Sequence, residues 1–228
     1  MKTKNIFIGL VVLSLLEIGC GQEQIVWPDS GVPSVGECGS DYPTGPYGLK
    51  EGDTIKCNAW TKNVRIGDYK NPTKTDLDLK ALSAQYKSGD FDAIKTHFGF
   101  TNASVNPKYL VIVSVAEGCS SCHYVTEGLA GKKDELETHG TLLVATCTGD
   151  MSGDKILSTE ESEDILKGDG WLDSLIRLQD TEKNLGKIAN YPFTYIIRLS
   201  DMKILAVGDG GVLTEKTILD IIKKDDAK

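Results

Sequence analysis

Two cysteines that come shortly after an apolar run constrain the possible fold of this chain more than any other feature. Residues 110–115 are Leu-Val-Ile-Val-Ser-Val, and a short turn ending at Gly118 separates them from Cys119 and Cys122. A β-branched apolar run of this length predicts a buried parallel strand, and the turn predicts a helix that begins at the cysteines. A strand that delivers two thiols to the first turn of a helix is typical of a thiol-disulfide site.

Cys119 is the predicted nucleophile of this site. The N-terminus of a helix offers unpaired N–H groups and partial positive charge, which favour a thiolate over a thiol. Cys122 lies one turn further along and is the predicted resolving thiol, which attacks a mixed disulfide formed on Cys119. An inert structural disulfide, or two reduced core cysteines, is the alternative interpretation of the same spacing.

The same motif also matches a second, unrelated chemistry. His123 follows Cys122 directly, and Cys-x-x-Cys-His is the attachment motif of a covalent c-type haem. Met151 and Met202 are the available distal ligands for its iron. Cytochrome domains of this kind are almost wholly helical, whereas strands are predicted before and after this motif. The context therefore favours a dithiol without a cofactor, and haem c at Cys119, Cys122 and His123 remains the alternative.

A metal site is not predicted. Structural zinc sites usually need four ligands, and no second cysteine pair has a suitable spacing. Six cysteines in an exported chain instead indicate an oxidising compartment in which some are bridged. Cys38 and Cys57 are the candidates for a structural disulfide, because the other cysteines have better uses.

The first 19 residues predict export. A basic start is followed by an uncharged apolar run over 6–16, which is too short to span a bilayer comfortably, and then by Gly19 and Cys20. This segment resembles a bacterial lipoprotein signal, in which Cys20 is acylated and becomes the mature N-terminus, although Glu17 replaces the usual apolar residue. A plain signal peptide is the alternative. We expect a protein of the cell envelope or periplasm, anchored to a membrane by lipid at Cys20.

The charge balance argues against nucleic acid as a partner. The chain has 33 acidic and 25 basic residues, a formal net charge of −8, and no basic cluster beyond the signal.

The remainder of the chain predicts one α/β domain behind a flexible segment. Residues 20–45 are rich in Gly and Pro and predict a tether, and residues 46–228 have the length of one domain with a real core. A strand, a helix and a second strand in succession predict a parallel pair with a right-handed crossover. The predicted elements are a hairpin at 54–66, helices at 77–86, 91–98 and 119–138, a strand at 141–147, a helix at 159–167, a strand at 174–178, a helix at 181–189, strands at 193–199 and 203–207, and a helix at 214–223.

This order of elements resembles the thioredoxin-like fold, in its redoxin branch of exported, membrane-tethered thiol-disulfide oxidoreductases and peroxiredoxin relatives. The resemblance implies an α/β three-layer sandwich, with a central mixed sheet, helices on both faces and an N-terminal hairpin extension. It implies that Pro192 is a cis-proline packed against the active-site disulfide, with Tyr191 beside it. It also implies that the partners are protein thiols or disulfides and an envelope electron donor or acceptor.

Two further residues are candidates for the site. Cys147 ends the strand predicted to lie next to the one that delivers Cys119, and the carboxyl ends of adjacent parallel strands share one edge of the sheet. It is therefore a possible third thiol, with a small buried hydrophobic residue as the alternative. Glu117 is a possible proton acceptor for Cys122, with a solvated turn residue as the alternative.

The motif also departs from the family it resembles. Gly118 precedes Cys119, and Ser120 and Ser121 separate the cysteines, where the family usually carries aromatic and proline residues. A tethered binding module that kept the fold and lost catalysis therefore remains a third hypothesis, because a fold does not determine a function.

Overall fold

The computed structural model describes residues 38–60, 76–151, 155, 157–168, 176–180, 184–185, 188 and 190–228. The predicted signal, Cys20, most of the tether and most of the predicted helix at 181–189 lie outside these residues. None of the described helices has the length and apolar character needed to cross a membrane. The described elements are β1 Tyr47–Gly48, β2 Thr54–Ile55, β3 Ala59–Trp60, β4 Leu77–Asp78, α1 Leu79–Ser88, α2 Phe91–Phe98, β5 Tyr109–Glu117, α3 Ser120–Gly131, α4 Lys133–Thr138, β6 Thr141–Asp150, α5 Thr159–Gly168, β7 Ile176–Gln179, β8 Phe193–Arg198, β9 Lys203–Gly208 and α6 Glu215–Asp226.

The central strand is β5, which carries the apolar run. In the described part of the chain, seven strands form one sheet in the order β1-β2-β9-β8-β5-β6-β7. β5 pairs in parallel with β6 and antiparallel with β8, so the sheet is mixed and the predicted parallel pair is confirmed. Every β5 residue from Tyr109 to Ala116 is buried. Both faces of this strand are therefore covered, which explains why its sequence is continuously apolar rather than alternating.

Helices cover both faces of the sheet. The hydroxyl of Tyr109 on one face donates to Asp226 of α6 at 3.1 Å, and α6 contacts α3. Successive residues of a strand point to opposite faces, so Ala116 lies on the other face. Ala116 lines a cleft there together with Ile165 of α5. The predicted three-layer α/β sandwich is confirmed.

The caps of α1 and α2 explain where these helices begin and end. Asp78 accepts hydrogen bonds from the backbone N–H groups of Lys80 and Ala81, so α1 begins two residues later than predicted. Gly89 ends α1 with a φ of 76°, and Asp90 caps α2 by accepting from the N–H of Ala93. The predicted break between the two helices is confirmed.

The predicted pairing of the hairpin at 54–66 is wrong in its described part. β2 pairs in parallel with β1 and antiparallel with β9, and β3 pairs with β4. These strands have two residues each, so weak alternation in the sequence carried no information about their partners. Residues 61–66 of the prediction lie outside the described residues.

The predicted single helix at 119–138 is divided into α3 and α4, with Lys132 between them at φ −109° and ψ 9°. Gly131 immediately precedes the break, where the low helix propensity of glycine favours an interruption. Gly128 has a separate role, because a β-carbon there would lie 2.7 Å from a carboxylate oxygen of Glu215. The side chain of Glu215 therefore occupies the space beside Gly128, where α3 meets α6.

The segment before β1 is attached to the domain. A disulfide joins Cys38 to Cys57, and Cys38 is fully buried. The hydroxyl of buried Tyr42 donates to the carbonyl oxygen of Ile55 at 3.0 Å. Residues 38–45, which the sequence assigns to the tether, thus pack against the folded domain.

A buried ion pair fastens α4 to the loop that follows α2. The carboxylate of Glu137 accepts hydrogen bonds from the ammonium of Lys133 and, at its other oxygen, from the hydroxyl of Thr101 at 2.6 Å and the N–H of Asn102 at 3.1 Å. Burial alone would raise the pKa of Glu137, but the bonds from Lys133 and Thr101 outweigh it and hold that pKa below its usual value. The loop leading into β5 is therefore held by a charged group.

We expect Glu137→Gln to be about 2 kcal/mol less stable at pH 7, because charged hydrogen bonds are lost and Lys133 keeps no counter-charge. The folded carboxyl has a lowered pKa, so its stabilising effect is complete above the usual pKa of glutamate and is lost as the pH falls through the lowered value. Urea unfolding measures this, and the curves of the two proteins should converge in acid. Glu135→Gln, which changes an exposed carboxylate on the same helix, is the control. A loss no larger than that of the control would contradict the assignment.

Candidate active site

Cys119 and Cys122 are joined by a disulfide at the N-terminus of α3, with their Cα atoms 5.4 Å apart. Cys119 is the N-cap residue, and its sulfur accepts a hydrogen bond from the backbone N–H of Cys122 at 3.1 Å. The exposed fraction is 7% for Cys119 and 0% for Cys122. Of the two cysteines, only Cys119 has exposed surface.

Gly118 makes the turn between β5 and α3. Its φ is 79°, a conformation in which a side chain would be strained. Glycine at this position brings the end of the buried strand and the first turn of the helix close together, so that Cys119 lies at the edge of the sheet.

The loop before β8 lies next to the disulfide, and its Tyr191–Pro192 bond is cis. The hydroxyl of Ser121 donates to the carbonyl oxygen of Tyr191 at 3.2 Å and lies 3.6 Å from the sulfur of Cys119. Ser121 thus connects the first turn of α3, the reactive sulfur and the cis-proline loop. Tyr191 itself is 4% exposed.

A cleft of about 490 Å³ opens beside Cys119. Its walls come from the end of β5, the first turns of α3 and one residue of α5. The side chain of Tyr124 in this wall is 76% exposed, which is unusual for a large aromatic residue. The lining residues are Ala116, Gly118, Cys119, Ser120, His123, Tyr124 and Ile165.

Glu117 lies at the exposed end of β5, close in sequence to the cysteines. Its carboxylate accepts a hydrogen bond from the ammonium of Lys155 at 3.0 Å, and Lys155 also donates to Glu161 of α5 at 3.1 Å. This chain of charges connects α5 to the turn that carries the disulfide. Cys122, whose proton Glu117 was predicted to accept, is fully buried.

Cys147 is a buried thiol outside both disulfides. It pairs in register with Val115 of β5, and residues paired across a sheet point to the same face. Val115 shares its face with Tyr109, so Cys147 lies on the face that α3 and α6 cover. Its carbonyl oxygen accepts a hydrogen bond from the N–H of Asp180 at 3.0 Å.

The structure separates the two methionines considered as distal haem ligands. Met202 is fully buried in the turn between β8 and β9. Because Arg198 at the end of β8 pairs with Tyr109 at the start of β5, this turn lies at the opposite end of the sheet from Cys119, and the prediction for Met202 is wrong. Met151 follows β6 at the same end as Cys119. The imidazole of His123 lies 3.2 Å from the carboxylate of Glu127.

In the described ranges, no three histidine, cysteine or acidic side chains lie together in a way that would hold a metal ion.

Comparisons with known proteins give likenesses of shape and no close relative. No family profile matches the chain, and no curated protein matches it. Among solved structures, peroxidoxin BcpB from Mycobacterium tuberculosis is 12% identical, with a TM-score of 0.49 over 79% of this chain and 98% of that one. The thioredoxin domain of a thiol-disulfide oxidoreductase from Bacteroides vulgatus is 14% identical, with a TM-score of 0.45 over 75% of this chain and 98% of that one. A thiol:disulfide interchange protein from Bacteroides sp. is 14% identical, with a TM-score of 0.44 over 82% of this chain and 90% of that one.

The chain's own topology defines its class. A central strand that leads into a Cys-x-x-Cys helix, a parallel neighbour, and an antiparallel pair preceded by a cis-proline together form the thioredoxin-like fold. The helix α5 and the strand β7, inserted between β6 and β8, give the redoxin form of that fold.

Three residues of this region were not predicted from the sequence. Ser121 lies between the two cysteines of the motif, so its sequence position alone could have indicated a hydroxyl close to the sulfur of Cys119. Lys155 and Ile165 reach the site from the long insert. Nothing in the local sequence indicates their contacts with Glu117 and the cleft, because these depend on how the insert folds back.

The two disulfides should differ in their ease of reduction. Limited dithiothreitol under native conditions should open the Cys119–Cys122 bond first, because Cys119 lines an open cleft and its thiolate would lie at a helix N-terminus. Alkylation followed by peptide mass mapping identifies the reduced pair. Unfolding in denaturant before reduction is the control, and it should expose both pairs. Labelling of Cys38 and Cys57 before the other pair would contradict this assignment.

Proposed function

We propose that this protein is a thiol-disulfide oxidoreductase that acts through Cys119 and Cys122. One observation carries the proposal: the disulfide lies at a helix N-terminus beside an open cleft, and the sulfur of Cys119 accepts a backbone hydrogen bond there. A negative charge that develops on this sulfur gains both the hydrogen bond and the helix dipole. The stabilising groups are already in place around the disulfide, so the dithiol form needs little rearrangement.

The reaction is a two-step exchange. A partner thiolate attacks the sulfur of Cys119, the Cys119–Cys122 bond breaks, and Cys122 takes the electron pair and a proton. A second partner thiolate then breaks the mixed disulfide and leaves Cys119 as a thiolate. The partner is oxidised to a disulfide by two electrons, and this protein is reduced by the same two. In the opposite direction, Cys122 resolves a mixed disulfide carried by Cys119.

The partners proposed for this exchange are proteins with thiols or disulfides, together with an electron donor or acceptor of the cell envelope. The open cleft beside Cys119 and the exposed ring of Tyr124 support a polypeptide substrate, since they offer a contact surface around the reactive sulfur. Export and a lipid anchor at Cys20 are proposed from the N-terminal sequence alone.

Single-cysteine variants test the proposal. Cys119→Ser should abolish exchange with a glutathione redox series, and Cys122→Ser should accumulate mixed disulfides with its natural partners, because the resolving thiol is missing. Ser120→Ala, at an exposed position between the two cysteines, is the control and should exchange normally. A Cys119→Ser protein that still exchanges would overturn the proposal.

The same preparations test the two alternatives. Expression in a host that attaches haem gives a red protein with a Soret band if the motif binds haem c, and a colourless protein if the dithiol is the natural state. If the protein is a binding module without catalysis, its disulfide should resist every donor of the envelope, and a measured reduction potential shows this.

We further propose Glu117 as the proton acceptor for Cys122. Glu117→Gln should then slow resolution of the mixed disulfide at least tenfold while its formation keeps its rate, because only resolution needs Cys122 as a thiolate. Stopped-flow measurements on a preformed mixed disulfide separate the two steps. Glu127→Gln, an exposed carboxylate on α3, is the control. Equal resolution rates in Glu117→Gln and the wild type would reject this role and leave Glu117 as a partner of Lys155 alone.

A further inference from the structure

The hydroxyl of Ser121 has one hydrogen to donate and two acceptor atoms within reach. Its oxygen lies 3.2 Å from the carbonyl oxygen of Tyr191 and 3.6 Å from the sulfur of Cys119. The sulfur of a disulfide has no hydrogen to donate, so Ser121 must be the donor in either contact. In the disulfide form the shorter contact, to the carbonyl of the cis-proline loop, is the better hydrogen bond.

Reduction of the disulfide changes which of these two atoms is the stronger hydrogen-bond acceptor. When the Cys119–Cys122 bond is broken by two electrons, Cys119 carries a negative charge and Cys122 carries the proton. A charged acceptor forms a stronger hydrogen bond than a neutral carbonyl. A rotation about the Cβ–Oγ bond of Ser121 is sufficient to redirect the hydrogen from Tyr191 to Cys119.

We propose that Ser121 is a thiolate-stabilising residue whose hydroxyl donates to the Tyr191 carbonyl in the disulfide form and to the Cys119 sulfur in the dithiol form. This inference depends on the proposed oxidoreductase function. The hydroxyl becomes the second donor to Cys119, after the N–H of Cys122 at 3.1 Å. No proton leaves Ser121 in this change, so the electron balance of the exchange is unaltered.

The side chains next to Ser121 allow a matched comparison. Ser120, its neighbour in the same turn of α3, is exposed, whereas Ser121 is half-buried. Changing either serine to alanine removes one hydroxyl from the same helical turn. Only the change at Ser121 removes a donor near Cys119.

Titratable side chains on the neighbouring elements must also stay the same between variants. On β5 and the insert these are Glu117, Lys155 and Glu161, and on α3 they are His123 and Glu127. Ser121 takes part in none of the ion pairs that these side chains form. A difference between the two serine variants therefore reports the hydroxyl and not a rearranged charge.

The test compares wild type, Ser121→Ala, Ser120→Ala and Ser121→Thr in a glutathione redox series. Ser121→Ala should shift the equilibrium about tenfold toward the disulfide, because a bond to a charged group is lost from the dithiol form and only a neutral one from the disulfide form. The pH midpoint for alkylation of Cys119 should move upward in the same variant. Ser120→Ala should match the wild type. Ser121→Thr keeps a hydroxyl, so its equilibrium should stay close to that of the wild type.

The outcomes separate this inference from the function on which it depends. If the wild type never cycles with glutathione, the proposed function fails and this role fails with it. If the wild type cycles and Ser121→Ala has the same equilibrium and alkylation profile, only the role of Ser121 is overturned. If Ser120→Ala shifts as far as Ser121→Ala, the effect belongs to the helical turn and the role is again overturned. Ser121→Gly, which also removes the hydroxyl, carries the same comparison should the alanine variant fail to fold.

Discussion

The hydrogen bond from the N–H of Cys122 to the sulfur of Cys119 is the interaction on which the site depends. It satisfies one of the N–H groups that a helix leaves unpaired at its start, with a sulfur in the place of the usual hydroxyl or carboxylate cap. The group that begins α3 is therefore also the proposed nucleophile. Gly118 brings that sulfur to the end of β5, which is buried from Tyr109 to Ala116.

The insert between β6 and β8 completes the cleft around this sulfur. α5 contributes Ile165 to the wall, and Lys155 connects Glu161 of α5 to Glu117 at the end of β5. The three charged side chains are more than two-fifths exposed, and ion pairs at such positions add little to stability. They connect α5 to the end of β5 beside the disulfide.

The strongest patterns in the sequence were sufficient to predict the core of the fold and the cysteine pair at the start of α3. The run over 110–115 and its parallel neighbour were recognisable because buried strands are continuously apolar, and the cysteines were recognisable by their spacing. Where the pattern was weak, prediction failed for a physical reason. A two-residue strand such as β2 is too short for its sequence to indicate which strand it pairs with. The distance of Met202 from Cys119 depends on the order and direction of the strands in the sheet, which cannot be read from the sequence around either residue. The contacts of Lys155 depend on the same long-range arrangement.

The two serines between the cysteines are where this chain differs most from the family it resembles, and the structure gives one of them a physical consequence. A proline at position 121 would have no side-chain donor, so neither the carbonyl of Tyr191 nor the sulfur of Cys119 would receive a hydrogen bond from it. With serine, the first turn of α3 is bonded to the cis-proline loop in the disulfide form. The hydroxyl that holds the loop is also the one nearest to the reactive sulfur, so any change of charge on Cys119 competes directly with that bond. The chemistry of the cysteine pair and the position of the loop across from it are therefore coupled through one side chain.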